Sequence, residues 1–481
     1  MRRRGPLDVE IEVATRIAAL REQQEAWARL DVAQRSQWVR RYGRWLLDHR
    51  TEIERLLIDE TGKPAAQAGV ELPFVVHHLA YNARIAPKAL RERSVLPHSV
   101  LVSHRTQRLR REPYPVVGVI SPWNFPLALS LIDAVPALLA GAAVAVKPSE
   151  LTPLSVTAAV DGWREIGAPD VFAALTGGPE TGRALVDEVD FVQFTGSTAT
   201  GRAVAMRCAE RLVPCSVEMG GKDAMLVLRG ADVERAVNAT VWGALANSGQ
   251  MCTSVERVYV HTDLYEEFVR RLVEEVASLR PGRDLGPLAS TAQAEIVRSQ
   301  LADAREGGAR VLTGGEGQGR WVPPTVLVDV DDTMRCLREE SFGPLIPVME
   351  VADDEEAVQR ANATAYGLSA HVFGPDDAET QATARRLSAG AVSINDVAAN
   401  LTALALPQQG WGESGLGFRF GGPQGIRKYT RSQAIVTARW PVRREPTWFP
   451  FTAVRTGMVS RALTAANRTA LAPRPGRPGR R

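Results

Sequence analysis

The chain has 481 residues, 45% of them hydrophobic and 23% charged, with a formal net charge of +3. That length supports two or three domains with their own cores, and the composition is that of a soluble enzyme rather than a disordered or fibrous chain. The charge is uneven: nine arginines and one glutamate fall after Trp440, so the rest carries −5 and gives no reason to expect nucleic-acid binding.

Met1-Arg2-Arg3-Arg4 is basic, but no apolar run follows it, so no signal peptide is expected. Residues 8–93 read as helices. Val13, Ile17, Leu20 and Trp27 mark one amphipathic face, and Trp38, Tyr42 and Leu46 continue it. Residues 95–112 alternate in places and suggest an exposed ribbon. From residue 115 the pattern changes to apolar runs at 116–120, 142–146, 172–175 and 190–194, each followed by a helix, with 216–218 closing the series. Such alternation predicts a parallel sheet covered on both faces, with ligands at the carboxyl ends of its strands. The run Leu127–Val146 is long enough to suggest a membrane span, but Asp133, Pro136 and Gly141 break it into a helix, a turn and a buried strand.

A second α/β region covers about 219–395. It includes a strand at Val258-Tyr259-Val260 and a helix with Leu264, Phe268, Leu272 and Val276 on one face, capped by Thr262 or Asp263. Residues 396–432 are glycine-rich, and the arm after 432 suggests an edge strand. The tail past 440 contains an amphipathic stretch, Phe449–Leu463, and a disordered end, Pro473–Arg481. Only five lysines occur (63, 88, 147, 222 and 428) against 53 arginines, so each is a candidate for a specific need.

Four cysteines without CxxC or metal-like spacing indicate free thiols, a reducing (cytoplasmic) compartment and no metal site. The histidines form no HExxH and no recognisable Ser-His-Asp set, which argues against zinc enzymes and triad hydrolases. Cys208 reads as a core-facing helical residue, Cys215 as opening a strand, and Cys336 as preceding a charged turn. Cys252 differs. It lies in Gly249-Gln250-Met251-Cys252-Thr253 among polar neighbours, and Glu218 precedes it in Glu218-Met219-Gly220-Gly221-Lys222. A thiolate attacks carbonyls, and a carboxylate can activate water against the resulting thioester.

With Pro122-Trp123-Asn124-Phe125-Pro126, Lys147-Pro148-Ser149-Glu150, Phe194-Thr195-Gly196-Ser197-Thr198 and Glu339-Glu340-Ser341-Phe342-Gly343-Pro344, the chain resembles the aldehyde dehydrogenase superfamily over about residues 10–440. Lys428–Gln433 and the tail resemble a bacterial succinate-semialdehyde dehydrogenase-like group. The resemblance implies an α/β fold: a Rossmann-like cofactor domain (1–94 and 113–217), an α/β catalytic domain (218–395) and a small β oligomerisation arm (95–112 and 396–440), followed by the basic tail 441–481. It implies Cys252 as nucleophile, Glu218 as base and Asn124 as oxyanion donor. Ser121, Trp123, Lys147, Glu150, Gly196, Ser197, Glu340 and Phe342 would hold the cofactor. Glu150 favours NAD, with NADP as the alternative, because a carboxylate there accepts from both ribose hydroxyls and repels a 2′-phosphate. Oxidation of a small aldehyde, with succinate semialdehyde as a candidate, by a homodimer or homotetramer is the resulting expectation.

Several residues depart from the family pattern: Met219, Asp223, Gly412 and Phe418, and a short 280–288 segment. These bear on the substrate mouth and subunit packing. Three rivals remain: a CoA-acylating dehydrogenase, a cofactor-free thiol esterase, and an inactive binding protein docked on the inner membrane face by its tail. Glu218 argues against the first. The third is better placed as an addition to catalysis, since Arg-rich amphipathic segments lie on anionic lipid.

Overall fold

A computed structural model describes residues 6–99, 102–445 and 447–472, so the expectations for Met1–Arg4 and for Pro473–Arg481 lie outside the described residues. The chain forms two units. One takes the chain up to Ala89 and from Pro113 to Thr430; the other takes Leu90–Glu112 and the chain from Arg431.

In the larger unit, strands Val116–Ile120, Ala143–Lys147, Phe172–Ala174, Phe191–Thr195 and Cys215–Glu218 form a parallel sheet in the spatial order third, second, first, fourth, fifth. Gly415–Leu416 adds antiparallel to the fifth. This is the doubly wound Rossmann order. Its reversal between the first and fourth strands opens a crevice at their carboxyl ends. Ala143–Lys147 is buried at every position, so a continuous apolar run suits it where an alternating one would not. The long apolar run does divide as expected: helix Pro126–Ala140, a left-handed Gly141 (φ 104°), then strand Ala143–Lys147. Glu71 accepts from the Leu127 and Ala128 amides at the start of that helix, each at 3.0 Å, occupying donors that have no intrahelical partner.

Four helices precede this sheet: Pro6–Arg29, Val32–Asp48, Arg50–Thr61 and Ala65–Leu90. Val13, Ile17, Leu20 and Trp27 are buried as their spacing predicts. In the second helix Val39, rather than Trp38, shares the buried face with Tyr42 and Leu46. Trp38 sits at the edge of that face, where the Arg41 guanidinium stands 4.6 Å over its ring.

The second sheet runs in the order Arg310–Thr313, Thr325–Val328, Leu345–Val351, Val255–His261, Asp223–Val227, Ser369–Phe373, Ala391–Ile394. Only Arg310–Thr313 is antiparallel to its neighbour. Helix Thr262–Ser278 buries Phe268, Leu272 and Val276 against this sheet, with Leu264 half-buried. Its cap is His261, whose ring accepts from the Asp263 amide at 3.1 Å, and neither Thr262 nor Asp263 fills that place.

The smaller unit contains a three-stranded sheet of Arg93–Val95, Arg105–Pro113 and Thr430–Ala438. Residues 396–430, expected from the resemblance to belong with the arm, group with the larger unit. Their glycines serve close backbone approaches: a Cβ on Gly421, for example, would strike the Leu406 carbonyl. Helix Ala453–Leu471 has no buried residue. Val454 and Met458 share one face, but Leu463 and Leu471 stand on others, so the amphipathic stretch expected there is not a single apolar stripe. Among the described residues no helix is long and apolar enough to cross a membrane.

Candidate active site

Cys252 follows a turn with an unusual backbone. Asn247, Ser248 and Gly249 are all left-handed, at φ 53°, 57° and 75°. Only the third is glycine, and a Cβ there would strike the Gly343 carbonyl. Two non-glycine residues in this region persist only where their surroundings hold them. Here the Asn247 amide nitrogen donates to the Asn124 and Gln250 carbonyls at 3.0 and 3.1 Å. The Ser248 hydroxyl donates to the Gly286 carbonyl at 2.8 Å, and Gln250 Oε1 accepts from the Ala289 amide at 2.8 Å. The thiol is thus presented by a clamped loop.

Cys252, Glu218 and Asn124 line one cavity of about 580 Å3. Asn124 Nδ2 donates one proton to the Gln250 carbonyl at 3.0 Å, which leaves its second amide proton. Burial holds the Cys252 thiol well above the ordinary thiol range, and the neighbouring Glu218 charge adds to this, while Arg419 acts in the opposite direction.

Arg419 belongs to no motif, yet it is the site's central cation. Its Nη1 donates to Glu218 Oε2, and its Nη2 lies 3.2 Å from Asp133 Oδ2. Lys428 Nζ lies 3.5 Å from Asp133 Oδ1 and donates to Gln193 Oε1 at 2.6 Å and to the Phe418 and Arg419 carbonyls. Burial opposes the charge on Arg419, but Glu218 and Asp133 outweigh it and hold the guanidinium firmly protonated. Burial lowers Lys428 to about 8. An unpaired charge at this depth costs about 3–5 kcal/mol, so two carboxylates and two cations occur as a set. One sequence signal pointed here, the scarcity of lysine. Four of the five lysines, each with its own side chain less than a tenth exposed, form ion pairs: Lys63–Glu71, Lys147–Glu150, Lys222–Glu256 and Lys428–Asp133.

The remaining expected residues lie outside this cavity, along the carboxyl edge of the Rossmann sheet and the turn facing it. The Ser121 amide donates to the Lys147 carbonyl at 3.1 Å, and its hydroxyl is 2.6 Å from that of Ser130. Lys147 Nζ meets Glu150 Oε2 at 3.2 Å, with Glu150 half exposed. The Gly196 amide donates to the Glu218 carbonyl at 3.1 Å, tying that turn to the strand that carries Glu218. Ser197 caps helix Thr198–Glu210. The Thr195 hydroxyl beside it is buried with no partner, and together with the free amides of a helix start this fits an anionic diphosphate. Glu340 Oε1 accepts from the Gly221 amide at 3.1 Å. Burial, then the Glu256 charge, raises its carboxyl to about 8. The Trp123 and Phe342 rings meet edge to face at 5.4 Å. Glu256, unremarked in the sequence, fixes this turn by accepting from the Ser341 and Phe342 amides at 2.8 Å, while Lys222 neutralises it at 2.5 Å.

Of the departures, neither Gly412 nor Phe418 lines the cavity; the adjoining Arg419 and Phe420 do. Arg283, Asp284 and Leu285 of the short 280–288 segment do contribute to its wall.

Residues 7–435 match the aldehyde dehydrogenase family model. A Mycobacterium ulcerans protein, provisionally named an NADP(+) succinate-semialdehyde dehydrogenase, is 38% identical over 90% of this chain and 86% of its own length. The 4,4'-diapolycopene aldehyde oxidase of Methylomonas is 38% identical over 89% of this chain and 82% of its own. Among solved structures, an aldehyde dehydrogenase-like protein of Anabaena variabilis, PutA, superposes with a TM-score of 0.88 at 37% identity, covering 92% of this chain and 95% of that one. The chain belongs to the aldehyde dehydrogenase family. It is an NAD(P)-dependent oxidoreductase acting on aldehydes.

Proposed function

We propose that Cys252 is the nucleophile, Asn124 the oxyanion donor and Glu218 the base of this oxidation. The supporting observation is the shared cavity: thiol, carboxylate and amide meet there, with the Glu218 carboxylate accepting a hydrogen bond from the thiol. Cys252 sulfur bonds to the aldehyde carbon, and the carbonyl oxygen takes the electron pair released. The second Asn124 amide proton and the Cys252 backbone amide meet that charge. Loss of hydride from that carbon, which a bound nicotinamide would accept, leaves a thioester on Cys252. Glu218 then takes a proton from water, whose oxygen attacks the thioester carbon; the carboxylic acid departs and the thiolate returns. Arg419 positions the Glu218 carboxylate throughout. Formation of NADH or NADPH with an aldehyde panel tests the activity, and acid formation without CoA separates it from a CoA-acylating enzyme.

Lys147 and Glu150 would hold the adenosine ribose, Ser121, Gly196 and Ser197 the diphosphate side, and Trp123, Glu340 and Phe342 the nicotinamide end. NAD is the proposed cofactor, because a carboxylate at Glu150, half-exposed beside Lys147, would accept from both ribose hydroxyls and repel a 2′-phosphate. The Mycobacterium relative's name specifies NADP(+), so the preference needs measurement. Glu150→Gln should lower the NAD-to-NADP ratio of kcat/KM by about tenfold, the worth of one screened like-charge contact. An unchanged ratio would remove Glu150 from the selection.

Succinate semialdehyde comes forward only through a relative's name, and the equally similar Methylomonas relative carries a different aldehyde in its name. The exposed three-stranded ribbon offers edges for pairing into a homodimer or homotetramer. The tail adds exposed Trp448, Phe449 and Phe451 to Arg443, Arg444, Arg455, Arg461 and Arg468, aromatic and cationic groups suited to anionic lipid. The full chain should sediment with anionic vesicles in low salt and lose this on deletion of 441–481; equal sedimentation rejects docking.

A further inference from the structure

The charges around the cavity are already paired. Its lining contains three cations. Lys63 lies 2.7 Å from Glu71, with both side chains almost fully buried, and 4.0 Å over the Phe125 ring. Arg419 is held by Glu218 and Asp133. Arg283 sits 3.4 Å from Asp284. Four acids line the same cavity: Glu71, Glu218, Asp284 and an exposed Glu275. Among the described residues the wall therefore carries more negative than positive charge, and each of its cations has a carboxylate partner. A substrate carboxylate entering here would be buried without a counter-charge.

The remaining wall is apolar. Phe74, Leu129, Ile132, Trp242, Leu245 and Leu401 surround the space. Trp242 is 52% exposed, so it stands where the cavity meets solvent. A space of about 580 Å3 is of the size that takes a drug-sized ligand. A four-carbon semialdehyde would leave most of it empty, and the empty part would be lined by hydrocarbon.

We infer that the substrate is an uncharged aldehyde with a long apolar body, and that a dicarboxylate semialdehyde is a poor one. This rests on the reading of Cys252 as the nucleophile in this cavity. The chemistry is unchanged; what the cavity selects is the chain behind the carbonyl. Each methylene removed from water contributes about a fourfold gain in binding, until the cavity is filled.

The test compares kcat/KM of the full chain, with NAD and with NADP, for butanal, hexanal, octanal, decanal and succinate semialdehyde. Butanal should exceed succinate semialdehyde by more than about tenfold, and kcat/KM should climb from butanal to decanal. Trp242→Ala should lower kcat/KM for decanal more than for butanal. A flat series, or succinate semialdehyde ahead of butanal, overturns the inference while leaving the nucleophile in place. Calorimetric titration with 1-decanol and with 4-hydroxybutyrate reads the cavity without any turnover. Binding of decanol alone supports the inference even if Cys252 proves not to be the nucleophile; binding of 4-hydroxybutyrate alone overturns it.

Discussion

Cys252→Ala is expected to lower aldehyde-dependent NADH formation by at least about 10⁴-fold, the scale on which a covalent nucleophile is lost. The fold should survive, since the loop is held by Asn247, Ser248 and Gln250 and not by the thiol. The same thiol gives a pH signature. Burial and the Glu218 charge raise it, so the reactive thiolate is scarce at neutral pH and grows as pH rises. Alkylation of the free enzyme by iodoacetamide should therefore accelerate by about tenfold per pH unit, with no plateau below about pH 9. Unimpaired turnover in the alanine variant would reject the nucleophile, and a plateau near neutrality would reject the raised thiol.

Glu218→Gln should separate the two halves of the reaction. In the proposed mechanism, addition and hydride transfer leave the thioester on Cys252, and water then needs a base. The variant should give a burst approaching one NADH per site, followed by a steady rate lower by about 10²–10⁴-fold. Glutamine also leaves Arg419 short of one of its two carboxylates, with only Asp133 remaining. Restoration of full turnover by added CoA would reveal a second acceptor for the thioester and would favour the acylating rival. A steady rate equal to that of the native enzyme would show that Glu218 is not the base.

The physical origin of each proposed site residue explains why some carry a signal in the sequence and others do not. Gly196-Ser197, Lys147-Glu150 and the turn Glu339–Pro344 each carry their requirement within a few neighbouring residues, because a helix start or a strand end imposes it locally. The alternation after residue 115 similarly requires a parallel sheet, since runs such as Ala143–Lys147 must be covered on both faces. Trp38 and the cap of Thr262–Ser278 were misplaced for the opposite reason. A helical face can shift by one residue, and a cap one position earlier serves equally well, without changing the apolar spacing.

Composition and motif order by themselves determined that this is an α/β enzyme of the aldehyde dehydrogenase family, because strand–helix alternation and each short motif are written in neighbouring residues. Tertiary structure alone decided how the site is charged and what shape it offers. Asp133, Arg419 and Lys428 come from distant segments and acquire meaning only when burial forces their charges to pair. The apolar wall behind Cys252 likewise draws on Phe74, Ile132, Trp242 and Leu401, whose convergence no local pattern records.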